Sequence, residues 1–423
     1  MKQTEIGLIP DNWEVKMLGD VTRIQAGGTP STLFEAYWNG NIRWMNSGEL
    51  KLKRVYEVEG RITELGLNNS STHLIPKGCV LIGLAGQGKT RGTAAINYVD
   101  LCTNQSIAAI FPSDFHNSDF LYHVMDNKYQ ELRELSDGGG GRGGLNLKIL
   151  NDIQIPLPPL PEQQRIAKAL SDVDALISTT EKLLQKKRNI KQGTMQELLT
   201  GKKRLPGFGP QTKSQTYKQT ELGHIPEDWD VKNIKELGVF ISGSGFPLIE
   251  QGRKNEKYPF FKVSDFNNLG NENKLISANN YVSETVASKL CCKIVKKNSI
   301  VFAKIGAAIM LERKRITAYD CCIDNNMMAF TVNSDNDFSY LCYNFQQIPF
   351  ASLSSSTALP SLSSKIIGNQ LISVPSKEEQ TAIANVLSSM DKEIETLNTK
   401  LEKYRNLKTA MMQQLLTGKI RLV

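Results

Sequence analysis

One octapeptide has the residue types and spacing of a phosphate-binding loop. Gly83–Thr90, GLAGQGKT, satisfies the pattern G-x-x-x-x-G-K-[ST], in which backbone amides and a lysine bind nucleotide phosphates. That chemistry needs a helix directly after the loop, because the amides at a helix N-terminus complete the site. Here Arg91–Val99 follows, with a glycine at its second position and a composition that favours an extended strand. We therefore do not expect an ATP site, although this loop is the one motif that favours it.

The other catalytic patterns are incomplete. Leu157–Leu160 lacks both flanking residues of the [DNS]-P-P-[FYW] motif of amino-group methyltransferases, and Phe240–Gly245 has one residue too many for F-x-G-x-G. Asp265 and Glu272–Lys274 are too close in sequence for the D…ExK arrangement of a nuclease. The histidines are scattered, which argues against a catalytic triad or a metal site. We predict no catalytic residue and no metal ligand.

Composition narrows the class of protein. The chain has 423 residues and a net charge of +8, which suits two or three domains and permits a polyanionic partner. Apolar runs such as Cys79–Ala85 are far shorter than the ~20 residues of a membrane helix, so we predict no membrane association. Seven cysteines without a CxxC motif indicate a reducing compartment, and we expect the cytoplasm.

The chain is an internal duplication. Residues 2–16 and 218–232 are identical at ten of fifteen positions, and residues 162–205 and 379–422 are identical at 23 of 44. The segments between these matches share only a rhythm of strands and loops. Retained ends with diverged middles indicate a common scaffold that carries two different binding surfaces. The alternative is that the middles have drifted without a function of their own.

The second pair of matches predicts two long helices, which begin near Glu162 and Glu379 and stop at Gly201 and Gly418. The two glutamates lie in the first turn, where acidic side chains favour the positive helix end. One apolar stripe at 3–4 spacing per helix is typical of a coiled coil. The stripe residues are Ile166, Leu170, Val173, Ile177 and Leu184 in the first helix, and Ile383, Leu387, Met390, Ile394, Leu397 and Leu401 in the second. A helix of about 40 residues, ~60 Å long, must bury such a stripe. The nearest partner is the other helix, and two copies related by an approximate two-fold axis would pair antiparallel. The alternatives are its own globular domain or a second chain.

Basic side chains are concentrated on the later halves of both helices, where residues 181–204 carry +6 and residues 398–421 carry +5. These segments are either solvated helix faces or a surface for phosphate or an acidic protein. Basic and amide residues also occur in loops between the predicted strands, where they can contact phosphates and base edges. Our candidate DNA-binding residues are Lys51, Lys53, Arg54, Gln87, Lys89, Thr90, Arg91, Arg142, Arg253, Lys254, Lys257, Lys262, Lys304, Arg313 and Lys314.

Together these features resemble the specificity subunit of type I restriction–modification systems, over the full chain. The motifs are the paired openings Ile9-Pro10-x-x-Trp13 and Ile225-Pro226-x-x-Trp229, the junction Ile155–Ala167 with its echo Glu379–Ala384, and the two Leu-Leu-Thr-Gly-Lys helix ends. The second junction, beginning at Val374, lacks the proline ladder of the first, which leaves its geometry open. Because Trp13 and Trp229 are matched, we predict them as core anchors rather than base-stacking platforms.

The resemblance implies an α+β fold with two mixed α/β target recognition domains, separated by an antiparallel two-helix coiled coil and related as a pseudo-two-fold repeat. The expected divisions are 1–155 and 218–374 for the recognition domains, 156–205 and 375–423 for the spacer helices, and 206–217 for a linker. Each domain would read half of a split, asymmetric sequence in double-stranded DNA, and the helices would set the gap.

The resemblance also implies two methyltransferase subunits and two motor–nuclease subunits as partners. S-adenosylmethionine, ATP and magnesium would belong to those partners, so that this chain needs no cofactor and is not an enzyme. Two alternatives remain open: an autonomous nucleotide hydrolase or methyltransferase–nuclease that uses Gly83–Thr90, and a coiled-coil tether that binds only protein. The bases that are read and the gap length cannot be derived from one sequence.

Overall fold

The computed structural model describes residues 1–86, 88–137, 144–209, 216–355 and 359–423. These residues form two compact units of mixed α/β structure. Unit 1 consists of Met1–Leu183 and Leu397–Val423, and unit 2 consists of Leu184–Thr396. Each unit therefore contains one globular domain together with parts of both long helices.

The first repeat contains short strands, short helices and one long helix. The strands are β1 (Lys2–Thr4), β2 (Gly7–Ile9), β3 (Glu14–Met17), β4 (Ile24–Ala26), β5 (Trp38–Met45), β6 (Arg54–Val55), β7 (Arg61–Ile62), β8 (Val80–Gly83), β9 (Ala94–Asn97), β10 (Cys102–Thr103), β11 (Ile107–Ile110) and β12 (Gln154–Leu157). The helices are α1 (Leu18–Val21), α2 (Glu64–Asn68), α3 (Ser118–Asn127), α4 (Tyr129–Asp137), α5 (Leu147–Asn151) and α6 (Leu160–Leu199).

The second repeat contains a corresponding set of elements. Its strands are β13 (Tyr217–Thr220), β14 (Gly223–Pro226), β15 (Asp230–Asn233), β16 (Gly238–Ser242), β17 (Tyr258–Phe261), β18 (Lys274–Leu275), β19 (Asn280–Val282), β20 (Ser299–Ala303), β21 (Lys314–Thr317), β22 (Cys322–Ile323), β23 (Met327–Val332) and β24 (Leu371–Val374). Its helices are α7 (Glu284–Lys289), α8 (Phe338–Gln347), α9 (Phe350–Leu353), α10 (Ser364–Gly368) and α11 (Lys377–Leu415).

The two globular domains have the same sheet topology. In unit 1 the five-stranded sheet has the order β4-β11-β8-β9-β6, and a three-stranded sheet has the order β10-β5-β7. In unit 2 the corresponding orders are β16-β23-β20-β21-β18 and β22-β17-β19. The hairpins β1-β2 and β13-β14 also correspond, as do the pairs β12-β3 and β24-β15. One fold has therefore persisted where the sequences diverged, as a common scaffold requires.

Burial on both faces explains why the central strands read as apolar runs rather than as an alternation. Alternate residues of a strand point to opposite faces. In β8, Val80 and Ile82 face a core shared with α3, whereas Leu81 faces a second core that contains Met45 and Leu50. The five-stranded sheet of unit 1 is thus the middle layer between two hydrophobic cores.

The two strand-to-helix junctions have the same geometry although only the first has a proline ladder. Two residues separate β12 from α6, and two separate β24 from α11. In the first helical turn a buried glutamine holds each junction: the Nε2 of Gln163 donates to the carbonyl of Pro158 at 2.8 Å, and that of Gln380 to the carbonyl of Pro375 at 3.0 Å. The amide oxygens of these glutamines accept the backbone N–H at the N-cap of α3 and of α8.

A buried carboxylate next to each glutamine joins three distant segments of sequence. Glu162 is 3% exposed. It accepts a hydrogen bond from the indole Nε1 of Trp13 at 3.0 Å, and the guanidinium of Arg421 donates to its two oxygens at 2.5 and 2.7 Å. Burial alone would raise the pKa of Glu162, but the hydrogen bonds from Arg421 and Trp13 outweigh it and lower the pKa.

Unit 2 repeats this arrangement, which we name the Trp–Glu–Arg clamp. Glu379 accepts from Trp229 at 3.0 Å and from Arg204 at 2.7 and 2.6 Å. Trp13 and Trp229 are fully buried, which confirms them as core anchors. The clamp arginine always comes from the tail that follows the other repeat's long helix. Sequence analysis gave the two glutamates only a helix-dipole role and missed the clamp.

Replacement of a clamp arginine by alanine should strongly destabilise the unit that contains it. Arg421→Ala leaves Glu162 buried without its charged partner, and Arg204→Ala does the same to Glu379. Removal of one member of a buried ion pair costs about 3–5 kcal/mol. We expect Arg204→Ala to have the larger effect, because the Arg204 side chain is 6% exposed and that of Arg421 is 27% exposed. Urea unfolding measures the loss, and hydrogen exchange assigns it to unit 1 or unit 2.

Arg405→Ala is the matched control. Arg405 pairs with Glu181 at 2.7 Å, but both side chains are about half exposed, so the loss should stay below about 1 kcal/mol. Equal effects of the clamp and control substitutions would contradict the role of the clamp.

Candidate nucleic-acid interface

One edge of the five-stranded sheet in unit 1 gathers three loops, and we name it the loop edge. It consists of the loop 27–34 after β4, the loop 84–93 between β8 and β9, and the turn 104–106 before β11. The backbone N–H of Gly27 donates to the carbonyl of Ile107 at 3.1 Å, and that of Leu84 to the carbonyl of Ser106 at 2.8 Å. These bonds place the three loops side by side.

Unit 2 has a corresponding loop edge. The loop after β16 begins at Gly243, whose N–H donates to the carbonyl of Met327 at 3.3 Å. Lys304 begins the loop between β20 and β21, and its N–H donates to the carbonyl of Asn326 at 2.8 Å. In both units, therefore, a short turn lies between two longer loops at the same end of the sheet.

The loop Gly83–Thr90 is part of a β-hairpin. Its second strand is β9, which pairs with β8 in antiparallel register with Leu81 opposite Ala95. The expectation that the following residues are extended is confirmed for Ala94–Asn97. Because a phosphate-binding loop of nucleotide hydrolases leads into a helix, this loop does not have that geometry.

The predicted DNA-binding residues of unit 1 separate into two groups. Lys51 and Lys89 are exposed, and Thr90 and Arg91 are half-buried in the loop 84–93. Lys53 and Arg54 instead face the helices: the ammonium of Lys53 is 2.7 Å from Asp126, and the guanidinium of Arg54 is 2.7 Å from Asp119. Gln87 and Arg142 lie outside the described residues.

In unit 2 the predicted residues also differ in what they contact. Arg253 is 3.1 Å from Glu250, Lys257 is 2.6 Å from Glu284, and Lys262 donates to Gln251 at 3.2 Å. Arg313 donates to Asn267 at 2.6 Å, Lys254 is exposed, and Lys304 is half-buried on the loop edge.

Lys314 is occupied within the protein. Its side chain is 5% exposed and lies 2.7 Å from Glu312. Burial lowers its pKa in spite of that neighbour. We leave Lys314 out of the candidate interface, together with Lys53 and Arg54.

A charged network joins the globular domain of unit 1 to both long helices. Lys408 of α11 lies 2.8 Å from Asp174 of α6 and 3.2 Å from Asp126 of α3. Arg54 reaches the same cluster through Ser171 and Asp174. Burial would raise the pKa of Asp126, but Lys53 and Lys408 hold it below its ordinary value. The matched pair in unit 2 is Lys191 and Asp391, 2.6 Å apart.

The ion pairs between α6 and α11 occur in reverse sequence order within each unit. In unit 1, Arg405 pairs with Glu181, Lys408 with Asp174, and Arg421 after α11 with Glu162. In unit 2, Lys187 pairs with Glu393 at 2.9 Å, Lys191 with Asp391, and Arg204 with Glu379.

The predicted stripe residues have two environments. Ile166, Leu170, Ile383 and Leu387 are buried in the cores of their globular domains, each of which also contains the end of the other helix. The other buried stripe residues are Val173, Leu184 and Leu401. Those that are half-buried are Ile177, Met390, Ile394 and Leu397.

His123 makes the network of unit 1 sensitive to acid. The side chain is fully buried on α3, and its Nε2 lies 3.2 Å from the hydroxyl of Ser171. Burial is the main cause that lowers its pKa to about 4, and Lys408 and Arg54 contribute, against the opposing effect of Asp174 and Asp126.

Unit 1 should therefore lose stability as the pH falls from about 6.5 towards 4. In this window the unfolded chain binds a proton at position 123 that the folded chain does not, so the free energy of unfolding decreases by up to about 3 kcal/mol. Above about pH 6.5 His123 is neutral in both the folded and the unfolded chain, so it no longer lowers the free energy of unfolding. His123→Gln should remove it, and urea unfolding at a series of pH values measures the difference. Identical pH profiles for the two proteins would contradict the assignment.

Comparisons with known proteins agree with this architecture. The family model described as "Type I restriction modification DNA specificity domain" matches residues 10–189 and 226–403. The chain belongs to this family. It is a specificity subunit, whose role is DNA recognition and which is not itself catalytic. Such subunits work with DNA and with the modification and restriction subunits of their system.

One relative matches nearly the whole chain, another matches part of it, and a solved structure has the same fold. The MjaIX specificity subunit of Methanocaldococcus jannaschii is 27% identical over 99% of this chain and 96% of its own. The EcoR124I/EcoR124II specificity subunit of Escherichia coli is 30% identical over 42% of this chain and 45% of its own. The crystal structure of an S subunit from M. genitalium has the same fold, with a TM-score of 0.60 at 16% identity over 98% of both chains.

Within the described ranges, no helix combines the length and the apolar character needed to span a bilayer. Among the same residues, no three His, Cys, Asp or Glu side chains are grouped so that they could hold a metal ion.

Proposed function

We propose that each globular domain of this specificity subunit reads one half of a bipartite, asymmetric DNA sequence through its loop edge. The observation that carries the proposal is that both domains have one strand order but different residues on that edge. A shared scaffold presents the loops in the same way, and different loop side chains select different bases.

The long helices set the gap between the half-sites in this proposal. We infer that α6 and α11 form an antiparallel coiled coil, and that the two repeats are related by a pseudo-two-fold axis. The reversed order of the ion pairs within each unit and the half-buried stripe in the middle of the helices support this arrangement. Helix length then determines how far apart along the DNA the two halves of the site lie.

The helices also bind the methyltransferase subunits in this proposal. Two such subunits, together with two motor–nuclease subunits, would complete the assembly in the cytoplasm. S-adenosylmethionine, ATP and magnesium would be bound by these partners rather than by this chain. Several basic residues on the later halves of the helices are used in ion pairs, but exposed lysines such as Lys182, Lys186 and Lys403 support a docking or phosphate-contacting role for that surface.

Shortening both helices should change the gap and leave the half-sites unchanged. Deletion of the matched segments 178–181 and 395–398 removes about one turn, ~6 Å, from each helix, which corresponds to about two base pairs. We expect the complex with its methyltransferase to modify a site whose gap is about two base pairs shorter. Methylome sequencing reads both half-sites and the gap.

The length-preserving control replaces the same eight residues by alanine and should retain the original gap. A deletion variant that modifies altered half-sequences at the original gap would contradict the role of the helices.

Lys89→Ala tests the loop that resembles a nucleotide site. Loss of one phosphate contact should weaken DNA binding by the complex about equally for all sequences, and should reduce the slope of log K against log salt by about one. Lys16→Ala, on strand β3 and paired with Glu14, should leave that slope unchanged. Binding of ATP by the purified chain, abolished by Lys89→Ala, would contradict our interpretation.

A further inference from the structure

Both units contain a three-residue turn at the centre of the loop edge, between the small sheet and the central strand of the large sheet. In unit 1 it is 104–106, between β10 and β11, and in unit 2 it is 324–326, between β22 and β23. The middle residue is Gln105 in one unit and Asn325 in the other, and both side chains are exposed. An exposed carboxamide thus occupies the same position in two domains whose loops otherwise differ.

The backbone of this turn is fixed in the same way in both units. The side-chain oxygen of Asn104 accepts the N–H of Ser106 at 3.1 Å, and that of Asp324 accepts the N–H of Asn326 at 2.9 Å. The first residue of each following strand donates back to the turn: Ile107 to the carbonyl of Asn104 at 3.2 Å, and Met327 to that of Asp324 at 3.0 Å. Because both strands are buried, the turn is anchored on a rigid element.

The neighbouring loops enclose the turn on both sides. A Cβ atom on Gly27 would lie 2.2 Å from the carbonyl oxygen of Thr103, and one on Gly243 would lie 1.9 Å from that of Asp324. Only glycine permits so close a contact, so in both units the first loop is seated directly against the turn or its preceding residue. On the other side, the N–H groups of Leu84 and Lys304 donate to the turn.

We propose that Gln105 and Asn325 are specificity-determining residues, each of which recognises an adenine in the major groove of one half-site. This inference rests on the proposed function and names the residues that read the bases. A carboxamide offers one donor and one acceptor side by side, which matches the N7 acceptor and the N6 donor of adenine. The hydroxyl of Thr29 donates to Oε1 of Gln105, which orients the amide and leaves its second lone pair and both N–H groups for a base.

The loops on either side of the turn can contact phosphates rather than bases. The exposed Lys89 and the half-buried Lys304 lie on loops next to the turn, where a charged side chain can contact phosphate. Phosphate contacts fix the position of a protein on DNA, whereas contacts with base edges select the sequence. A side chain on a rigid turn holds its hydrogen-bond geometry better than one on a long loop.

The test uses the complex of this chain with its methyltransferase and a plasmid library in which both half-sites are randomised. Gln105→Ala should reduce the preference for adenine at one position of the first half-site by about tenfold or more, and should leave the second half-site unchanged. Asn325→Ala should reduce the preference for adenine at one position of the second half-site and leave the first half-site unchanged. Gln105→Glu and Asn325→Asp, which present only acceptors, should shift the same positions towards cytosine.

Gln3→Ala and Gln219→Ala are the matched controls. They remove exposed amides that occur at the same position of the hairpins β1-β2 and β13-β14. The Nε2 of each glutamine donates to the carbonyl of the next residue at 3.2 Å. They should leave both half-sites unchanged.

Two results would overturn the inference while leaving the proposed function intact. One is a wild-type complex with a clear bipartite preference that the alanine variants retain in full. The other is weaker methylation of every sequence without a change in base preference, which would indicate a phosphate contact. If the wild-type complex shows no bipartite preference, the proposed function itself fails.

Discussion

The structure depends on a carboxylate that is buried in the first turn of each long helix. Glu162 and Glu379 are both buried, so their oxygens need partners within the protein, and each carboxylate accepts hydrogen bonds from one indole N–H and one arginine. The three groups come from the opening of a repeat, from its own helix, and from the tail that follows the other helix. Each unit is therefore completed only when both repeats contribute to it.

Much of this architecture can be predicted from the sequence, because the two copies of the duplicated unit can be aligned with each other. Matched Trp13 and Trp229 indicate core positions, and the glycines after the two Leu-Leu-Thr segments indicate helix ends. Gly201 and Gly418 have φ values of +70° and +69°, as a helix-terminating glycine requires. The clamp could not be derived in this way, since spacing along the chain does not reveal that Arg421 and Glu162 meet.

The sequence predicts the residues of the DNA interface less well than it predicts the fold. Lysine and arginine occur both as exposed groups on loops and as buried partners of carboxylates, and composition does not distinguish the two. Lys51 and Lys53 are two residues apart, yet one is exposed and the other forms an ion pair with Asp126. Between the two side chains the backbone turns, with a positive φ of 60° at Lys53, and the chain then enters β6.

The two kinds of polar residue have complementary roles in this molecule. Charged groups such as Arg54 and Lys408 connect the globular domain of unit 1 to the helices, where partial burial strengthens their ion pairs. Neutral amides on the loop edge carry no strong desolvation cost and can exchange water for a base with little loss. The ion pairs at the helix junctions and the amides at the exposed turns involve different residues, so the residues of the turns can change without weakening those junctions. That separation explains how two domains with one strand order came to differ so widely in their loops.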